Sequence, residues 1–435
     1  MKISAKGYTI QITMGRNAGE DIIAGLDLGS TAIRMVVGQM LEQGGSEGLH
    51  ILGMVEVPSE GIHKGVITSI EDAVSSTSAC LEKIERAVGL PIEHVWVGVN
   101  GHHVLTDISQ GVVAISHPNG EITEDDVERV VDAARTVATP MNYEILHVIP
   151  RYFSVDGGSP VKDPVSMSGV RLEVDTHIIQ GSSGHIKNLT KTVYRTGSDI
   201  DDLVLSILAA SEVVVSERAR DMGCVIIDIG GSTTSMIVIE DGDVIHTAFI
   251  PIGSEHITQD IAIGLKTSID VAERLKIFGG TCVTKGLTKR DVMNLSEFGA
   301  QADEEISRKL LAQIIEARVE EILEKVGAEL KSVGRAGVLP AGAVFVGGGS
   351  KLHGLIDLAK RELRLPAALG YPLNITSVTE KINDVSFATA IGLVKWGADI
   401  QADMPSGKWH TIMSQLNASK TVATNVRKWM KSLLP

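Results

Sequence analysis

One short phrase occurs twice in this chain, roughly 200 residues apart: Asp27-Leu28-Gly29-Ser30-Thr31 and Asp228-Ile229-Gly230-Gly231-Ser232-Thr233. Each copy lies between two apolar, β-like runs: 22–23 and 33–37 around the first, 225–227 and 236–239 around the second. A strand, a tight turn bearing glycine and hydroxyls, and a returning strand make a hairpin suited to phosphate. Phosphate needs several N–H donors close together, and glycine lets the backbone approach without a Cβ in the way. Ser30, Thr31, Ser232 and Thr233 add hydroxyl donors. The aspartate that ends each first strand repels phosphate, but it suits Mg²⁺ held through water, since magnesium keeps several waters and takes few carboxylates. A single Asp-Gly turn is a common hairpin signal. Two copies, each in strand context, predict two similar domains facing one nucleotide.

The chain has 435 residues, enough for two or more cores. No run of 18 or more apolar residues occurs, which excludes a transmembrane helix on sequence grounds. Residues 1–20 lack the apolar stretch of a signal peptide and read as a flexible extension. Cys80, Cys224 and Cys282 are isolated and odd in number, matching neither a disulfide framework nor a zinc site, and so fit a reducing cytoplasm. Cys224 opens an apolar run and reads as core. The net charge of −14 argues against general nucleic-acid binding. Residues 404–435 depart from that balance, with five Lys or Arg and no acidic residue.

Residues 51–57 read as a third strand and 69–88 as a helix ended by Gly89. Strand-like 95–99 and 111–115 flank a helix over about 123–138, where Thr123 and Asp126 resemble a capping box. Further strands at 144–153 and 170–179 complete a small α+β unit inserted in the first domain. Helices are expected at 188–194, 257–265, 268–278, 304–330 and 355–363, and a buried strand at 343–346. That strand runs into Gly347-Gly348-Gly349-Ser350, a turn that suits close approach of a ligand. Glu273 and Lys276 lie one turn apart on a helix. They form either a surface ion pair or a pair aimed at a ribose and adenine.

The C-terminus carries its own signal. Val426, Trp429, Met430 and Leu433 recur at i, i+3, i+4 and i+7, while Arg427, Lys428 and Lys431 lie off that stripe. Tryptophan prefers the headgroup level and basic residues meet anionic lipid. The other readings are a terminal helix docked on the protein's own body and a partner-helix motif. Three basic residues supply roughly 3 kcal/mol at an anionic leaflet, and the apolar stripe adds about as much. Ordering the helix subtracts several kcal/mol. One tail therefore binds weakly, and many tails on one polymer bind strongly.

The two Asp-Gly loops, the late GGGS turn, Glu273 with Lys276, and Ala388-Thr389-Ala390-Ile391-Gly392 together resemble the actin/sugar-kinase superfamily. Within it the chain resembles FtsA, the bacterial cell-division actin homologue, from about 22 to 398 and again in the tail. The most specific stretches are 162–174 (KDPVSMSGVRLEV) and 251–262 (PIGSEHITQDIA). The resemblance implies a two-domain actin-like (ribonuclease H-like) α/β fold, with ATP and Mg²⁺ in the interdomain cleft and Asp27 and Asp228 near the metal. It implies partners too: the C-terminal tail of FtsZ, the tubulin homologue, at Arg318 and Glu321; further copies of the chain in a filament; the membrane; and downstream division proteins at the inserted unit. Some positions depart from the pattern. Ala32 stands where many relatives have Lys, and Arg34, on the same strand face, is the candidate substitute. Ser232 replaces a usual glycine and Ser235 a common aspartate. Ser206 stands where hydrolytic relatives carry Glu or Gln, which implies slow hydrolysis or none.

The layout expected on this basis is a first domain over 21–94, 181–205 and 375–398, with the inserted unit at 95–180. A second domain core covers 206–252 and 339–374, with its helical subdomain at 253–338. A flexible linker follows at 399–423 and the amphipathic helix at 424–435. Two alternatives stand beside it. An actin-like pilus-assembly ATPase would not need this tail, and a sugar-kinase-type enzyme would need a catalytic Asp that does not stand out.

Overall fold

In a computed structural model, residues 22–402 are described, apart from 44, 45, 118, 138, 139, 289 and 302. The tail residues 424–435 and most of the linker fall outside the described residues.

Apolar alternation builds the first sheet. Ile22–Leu28 (β1) and Ala32–Gln43 (β2) form the first Asp-Gly hairpin, and Ser46–Pro58 (β3) returns antiparallel along β2. A two-residue pair, Ile62–His63 (β4) with Val66–Ile67 (β5), leads into helix Ile70–Val88 (α1). Ser69 caps that helix by accepting from the Asp72 N–H, and Gly89, at φ 74°, ends it. His94–Val99 (β6) then pairs in parallel with β1.

The inserted unit comprises Val104–Ala114 (β7), Glu124–Val137 (α2), Tyr143–Val155 (β8) and Arg171–Ser182 (β9). Its sheet has the order β7-β9-β8, and α2 covers one face with Val127, Val130, Val131 and Ala134. The expected box forms: the Thr123 N–H donates to Asp126, and the Asp126 N–H donates to Thr123 Oγ1. The boundary at 95 needs correction. Residues 95–99 lie in β6, between β1 and Asp199–Leu205 (β10), in the first-domain sheet. The inserted sheet itself starts at Val104. A parallel neighbour is set by a long crossover, so local pattern does not reveal it.

Ser183–Tyr194 (α3) precedes β10, and Ser206–Val214 (α4) and Glu217–Met222 (α5) lead to the second hairpin. That hairpin is Cys224–Ile229 (β11) and Thr234–Glu240 (β12), followed by Asp243–Ile250 (β13). Helices Ser254–Gly264 (α6) and Ile269–Gly279 (α7) follow, then the short pair Val292–Asn294 (β14) and Glu305–Ser307 (β15). The long helix is Arg308–Ser332 (α8). It starts four residues later than the expected 304, because pairing with β14 satisfies the backbone of 305–307. Gly342–Val346 (β16), Leu355–Leu363 (α9), Ala367–Leu369 (β17), Thr376–Ser377 (β18) and Ala388–Ala402 (α10) complete the described chain. Because α10 continues to Ala402, the first four residues of the expected linker are helical.

The sequence repeat has a structural counterpart. The first sheet runs β10-β6-β1-β2-β3-β18 and the second runs β13-β12-β11-β16-β17. In each, an antiparallel three-strand meander is joined on its first strand by two parallel strands. Strand period 2 divides β11 between two cores: Cys224 and Ile226 face α4 and the first domain, while Val225, Ile227 and Ile229 face the helices of the second. α4 and α10 cross between the sheets so closely that a Cβ at Gly392 would lie 2.0 Å from the Ala209 carbonyl oxygen. Cys80, Cys224 and Cys282 are buried and free. Among the described residues no helix is long and apolar enough to cross a membrane.

Candidate functional site

The two hairpin turns meet across one cavity of about 400 Å³. Asp27, Gly29, Ser30, Thr31 and Arg34 line it from the first domain, and Asp228, Gly230, Gly231, Ser232 and Thr233 from the second. Glu273, Lys276 and the Gly347-Gly348-Gly349 turn line it as well. The turns nearly touch, since a Cβ on Gly231 would sit 1.8 Å from Thr31 Oγ1.

Asp27 and Asp228, half-buried at the ends of β1 and β11, are the paired carboxylates of the site. Burial pushes the Asp27 carboxyl up to about 6, against the opposing pull of Arg34. Burial pushes Asp228 up to about 7, and the neighbouring Asp27 adds to the rise. Two carboxylates of this kind fit a divalent cation, which would stabilise their ionised forms.

Arg34 faces Asp27 across the β1–β2 register, but its guanidinium is already engaged. Nη2 pairs with Glu56 Oε2 at 2.6 Å, and the group lies 5.7 Å from the centre of the Phe387 ring. Its Nε is buried without a partner. Arg34 therefore does not present a free guanidinium fork to the cavity.

The three glycines have three different reasons to be there. β16 runs parallel beside β11, with Val346 opposite Asp228, so the chain must turn directly against that carboxylate. Gly347 does so at φ 85°, where a Cβ would lie 2.1 Å from Asp228 Oδ1. At Gly349 a Cβ would meet Ile229 Cγ2 at 2.5 Å. Only Gly348 has open space around it. Ser350 belongs elsewhere: its buried hydroxyl donates to the Val346 carbonyl, and it does not line the cavity.

Glu273 and Lys276 are more than a surface pair. Lys276 is buried, bridges Glu273 Oε2 at 2.7 Å, and donates to Thr258 Oγ1 at 2.8 Å and to the Ser254 carbonyl at 3.2 Å. Ile257, Ile277 and Leu352 give this end of the cavity an apolar wall. Sequence reasoning missed Gly65, Asn100, Lys351 and His353, which also line the cavity but carry no motif. The Ser206 hydroxyl is buried without a partner. It lies where a Cβ on Gly98 would be 2.8 Å from its oxygen and 3.6 Å from Asp27 Oδ1.

Arg318 and Glu321 lie on α8, away from this cavity. Arg318 grips Asp260 with two bonds, Nε to Oδ2 at 2.6 Å and Nη2 to Oδ1 at 2.9 Å, and also pairs with Glu321. They form a half-buried α6–α8 network.

Comparison with known proteins agrees with this architecture. Residues 225–392 match the family model "Cell division protein FtsA", and residues 101–180 match "SHS2 domain inserted in FTSA". Cell division protein FtsA of Bacillus subtilis is 37% identical over 86% of this chain and 83% of its own length. That of Borreliella burgdorferi is 36% identical over 96% and 98%, and that of Pseudomonas aeruginosa 34% over 88% and 90%. Among solved structures, a PilM–PilN type IV pilus biogenesis complex aligns with TM-score 0.62 at 15% identity, covering 86% of this chain and 98% of that one. MreB5 of Spiroplasma citri bound to ADP aligns with TM-score 0.51 at 14% identity, covering 92% and 99%. At such identities these two establish the actin-like fold alone. The length and level of the sequence matches decide the rest: the chain belongs to the FtsA family of cell division proteins.

Proposed function

We propose that this chain binds one Mg²⁺–ATP between its two domains, assembles into an actin-like filament, and tethers FtsZ filaments to the membrane at the division site. The observation that carries the nucleotide part is the convergence of both hairpins on one cavity lined by two aspartates whose carboxyls are pushed well above the usual carboxylate range. Thr31, Ser232 and the glycine amides would take phosphate, while Glu273, Lys276 and the apolar wall beside them would take ribose and adenine. Asp27 and Asp228 would hold Mg²⁺ through water, and the bound ion would supply the charge neutralisation that both phosphate and carboxylates require. The Ser206 alcohol is a weak base, so this reading has nucleotide binding with slow hydrolysis or none.

The remaining assignments rest on the family and on the sequence of the tail. Arg318 and Glu321 are the proposed contacts for the FtsZ tail peptide. The inserted unit is the proposed contact for later division proteins. Val426, Trp429, Met430 and Leu433, with Arg427, Lys428 and Lys431, form the proposed peripheral membrane anchor.

Flotation with anionic liposomes, with ATP present and the FtsZ tail peptide added or omitted, tests these parts together. The full chain should float and carry the peptide with it. Trp429→Glu should leave nucleotide binding unchanged and remove most of the floated protein, because a charge replaces the largest apolar side chain of the stripe. Undiminished flotation of that variant contradicts the membrane assignment.

A further inference from the structure

Between the two hairpin turns stands a third carboxylate, outside both motifs. Glu255 is the second residue of α6. Its Oε1 accepts from Thr31 Oγ1 of the first domain at 2.9 Å, and its Oε2 accepts from Ser232 Oγ of the second at 2.7 Å. One carboxylate thereby joins the phosphate turns of both domains. Glu255 does not line the cavity, so it acts from behind the hydroxyls and not by filling the ligand's space.

The first turn of α6 holds it there. The Ser254 N–H donates to the Gly230 carbonyl at 2.9 Å, and the Glu255 N–H donates to the Gly231 carbonyl at 2.8 Å. These helix-start N–H groups, which often serve anions, are already used by the second turn. The backbones are pressed together, since a Cβ at Gly253 would lie 2.4 Å from the Gly231 carbonyl oxygen. The backbone of Glu255 is therefore fixed against the second turn, and its side chain reaches both hydroxyls from there.

A hydroxyl has one proton to give. While Thr31 and Ser232 donate to Glu255, neither donates to phosphate. The local charge points the same way: Asp27, Asp228 and Glu255 surround the turns, and Arg34, whose charge acts on both aspartates, is paired with Glu56. We propose that Glu255 is a cross-cleft latch that competes with the terminal phosphate of a nucleoside triphosphate for the Thr31 and Ser232 hydroxyls. The proposal rests on the nucleotide reading given above. With the base at the Glu273 end, the terminal phosphate is the group that both turns can reach at once. Triphosphate binding then breaks the Thr31–Glu255–Ser232 bridge and replaces one link between the domains with another. A diphosphate leaves the bridge intact. Glu255 so reads which nucleotide is present and passes that to the domain junction and, through α6, to the helical subdomain.

The test is calorimetric titration of the full chain and of Glu255→Gln and Glu255→Ala with ADP and with a non-hydrolysable ATP analogue in Mg²⁺. Removing one like charge near the terminal phosphate should tighten binding of the analogue by about tenfold. ADP affinity should stay within about twofold of the parent's, and the melting temperatures should remain close. An unchanged or lowered ratio of triphosphate to diphosphate affinity in both variants overturns the latch. Equal affinities in all three proteins would sink the latch alone, whereas no binding of either nucleotide by any of them overturns the nucleotide reading and the latch with it.

Discussion

At pH 8 the nucleotide-free Asp228→Asn protein should melt several degrees above the parent and bind Mg²⁺–nucleotide about 10–100-fold more weakly. Both effects come from one cause. Asp228 and Asp27 lie half-buried in the same cleft, and desolvation pushes their carboxyls up to about 7 and about 6, above the usual carboxylate range. In the unfolded chain both ionise near pH 4, whereas in the folded chain they hold their protons longer. This pair's contribution to the stability of the empty protein is therefore most favourable below pH 4, falls as pH rises towards 7, and levels off above it. Near neutral pH the cost is on the order of a few kcal/mol. The neutral amide removes it and with it the charge that holds the cation. Thermal unfolding from pH 5 to pH 8 should show a shallower decline for the variant. An identical pH profile in parent and variant contradicts the raised pair.

Gly347→Ala and Gly348→Ala should separate fold from ligand. At Gly347 the backbone is left-handed and the new methyl would lie 2.1 Å from Asp228 Oδ1 and 2.6 Å from the Ile229 carbonyl oxygen. The Ile229 carbonyl is backbone within the β11–β12 pairing and cannot yield, so turning the Asp228 side chain aside does not relieve the clash. The expected loss is about 3–5 kcal/mol, seen as a lowered denaturant midpoint or as failure to accumulate soluble protein. At Gly348 nothing lies within 4 Å. That variant should keep its stability to within about 1 kcal/mol. It should nonetheless bind nucleotide more weakly, since its methyl enters the cavity. Equal stability losses in the two variants would contradict this division of labour.

Much of the fold could be read from residues alone, because its main signals are local. The Asp-Gly turns, the capping box at Thr123 and the helix stop at Gly89 all depend on neighbours within a few positions. What escaped depends on pairing between distant segments. β6 looks like part of the inserted unit until its partners β1 and β10 are known. Arg34 reads as a free phosphate ligand until the β2–β3 register sets Glu56 opposite it. Ser350 reads as part of a ligand turn until its hydroxyl is seen to point back to Val346. The glycine run does mark the site, although two of its three glycines answer to strand packing and one to open space. Glu255 lies inside the family-like stretch 251–262, but its bridging role is not legible there, because alone it reads as an ordinary acidic residue in the first turn of a helix.

The proposed function requires that the two half-domains clamp one nucleotide around a cation held by Asp27 and Asp228. Titration of the full chain with an ATP analogue, once in Mg²⁺ and once in EDTA, tests it most directly. The clamp predicts one nucleotide per chain in Mg²⁺ and affinity lower by about 100-fold in EDTA, because uncompensated carboxylates then face the phosphates. Equal affinity under the two conditions, or no binding in Mg²⁺, would contradict it.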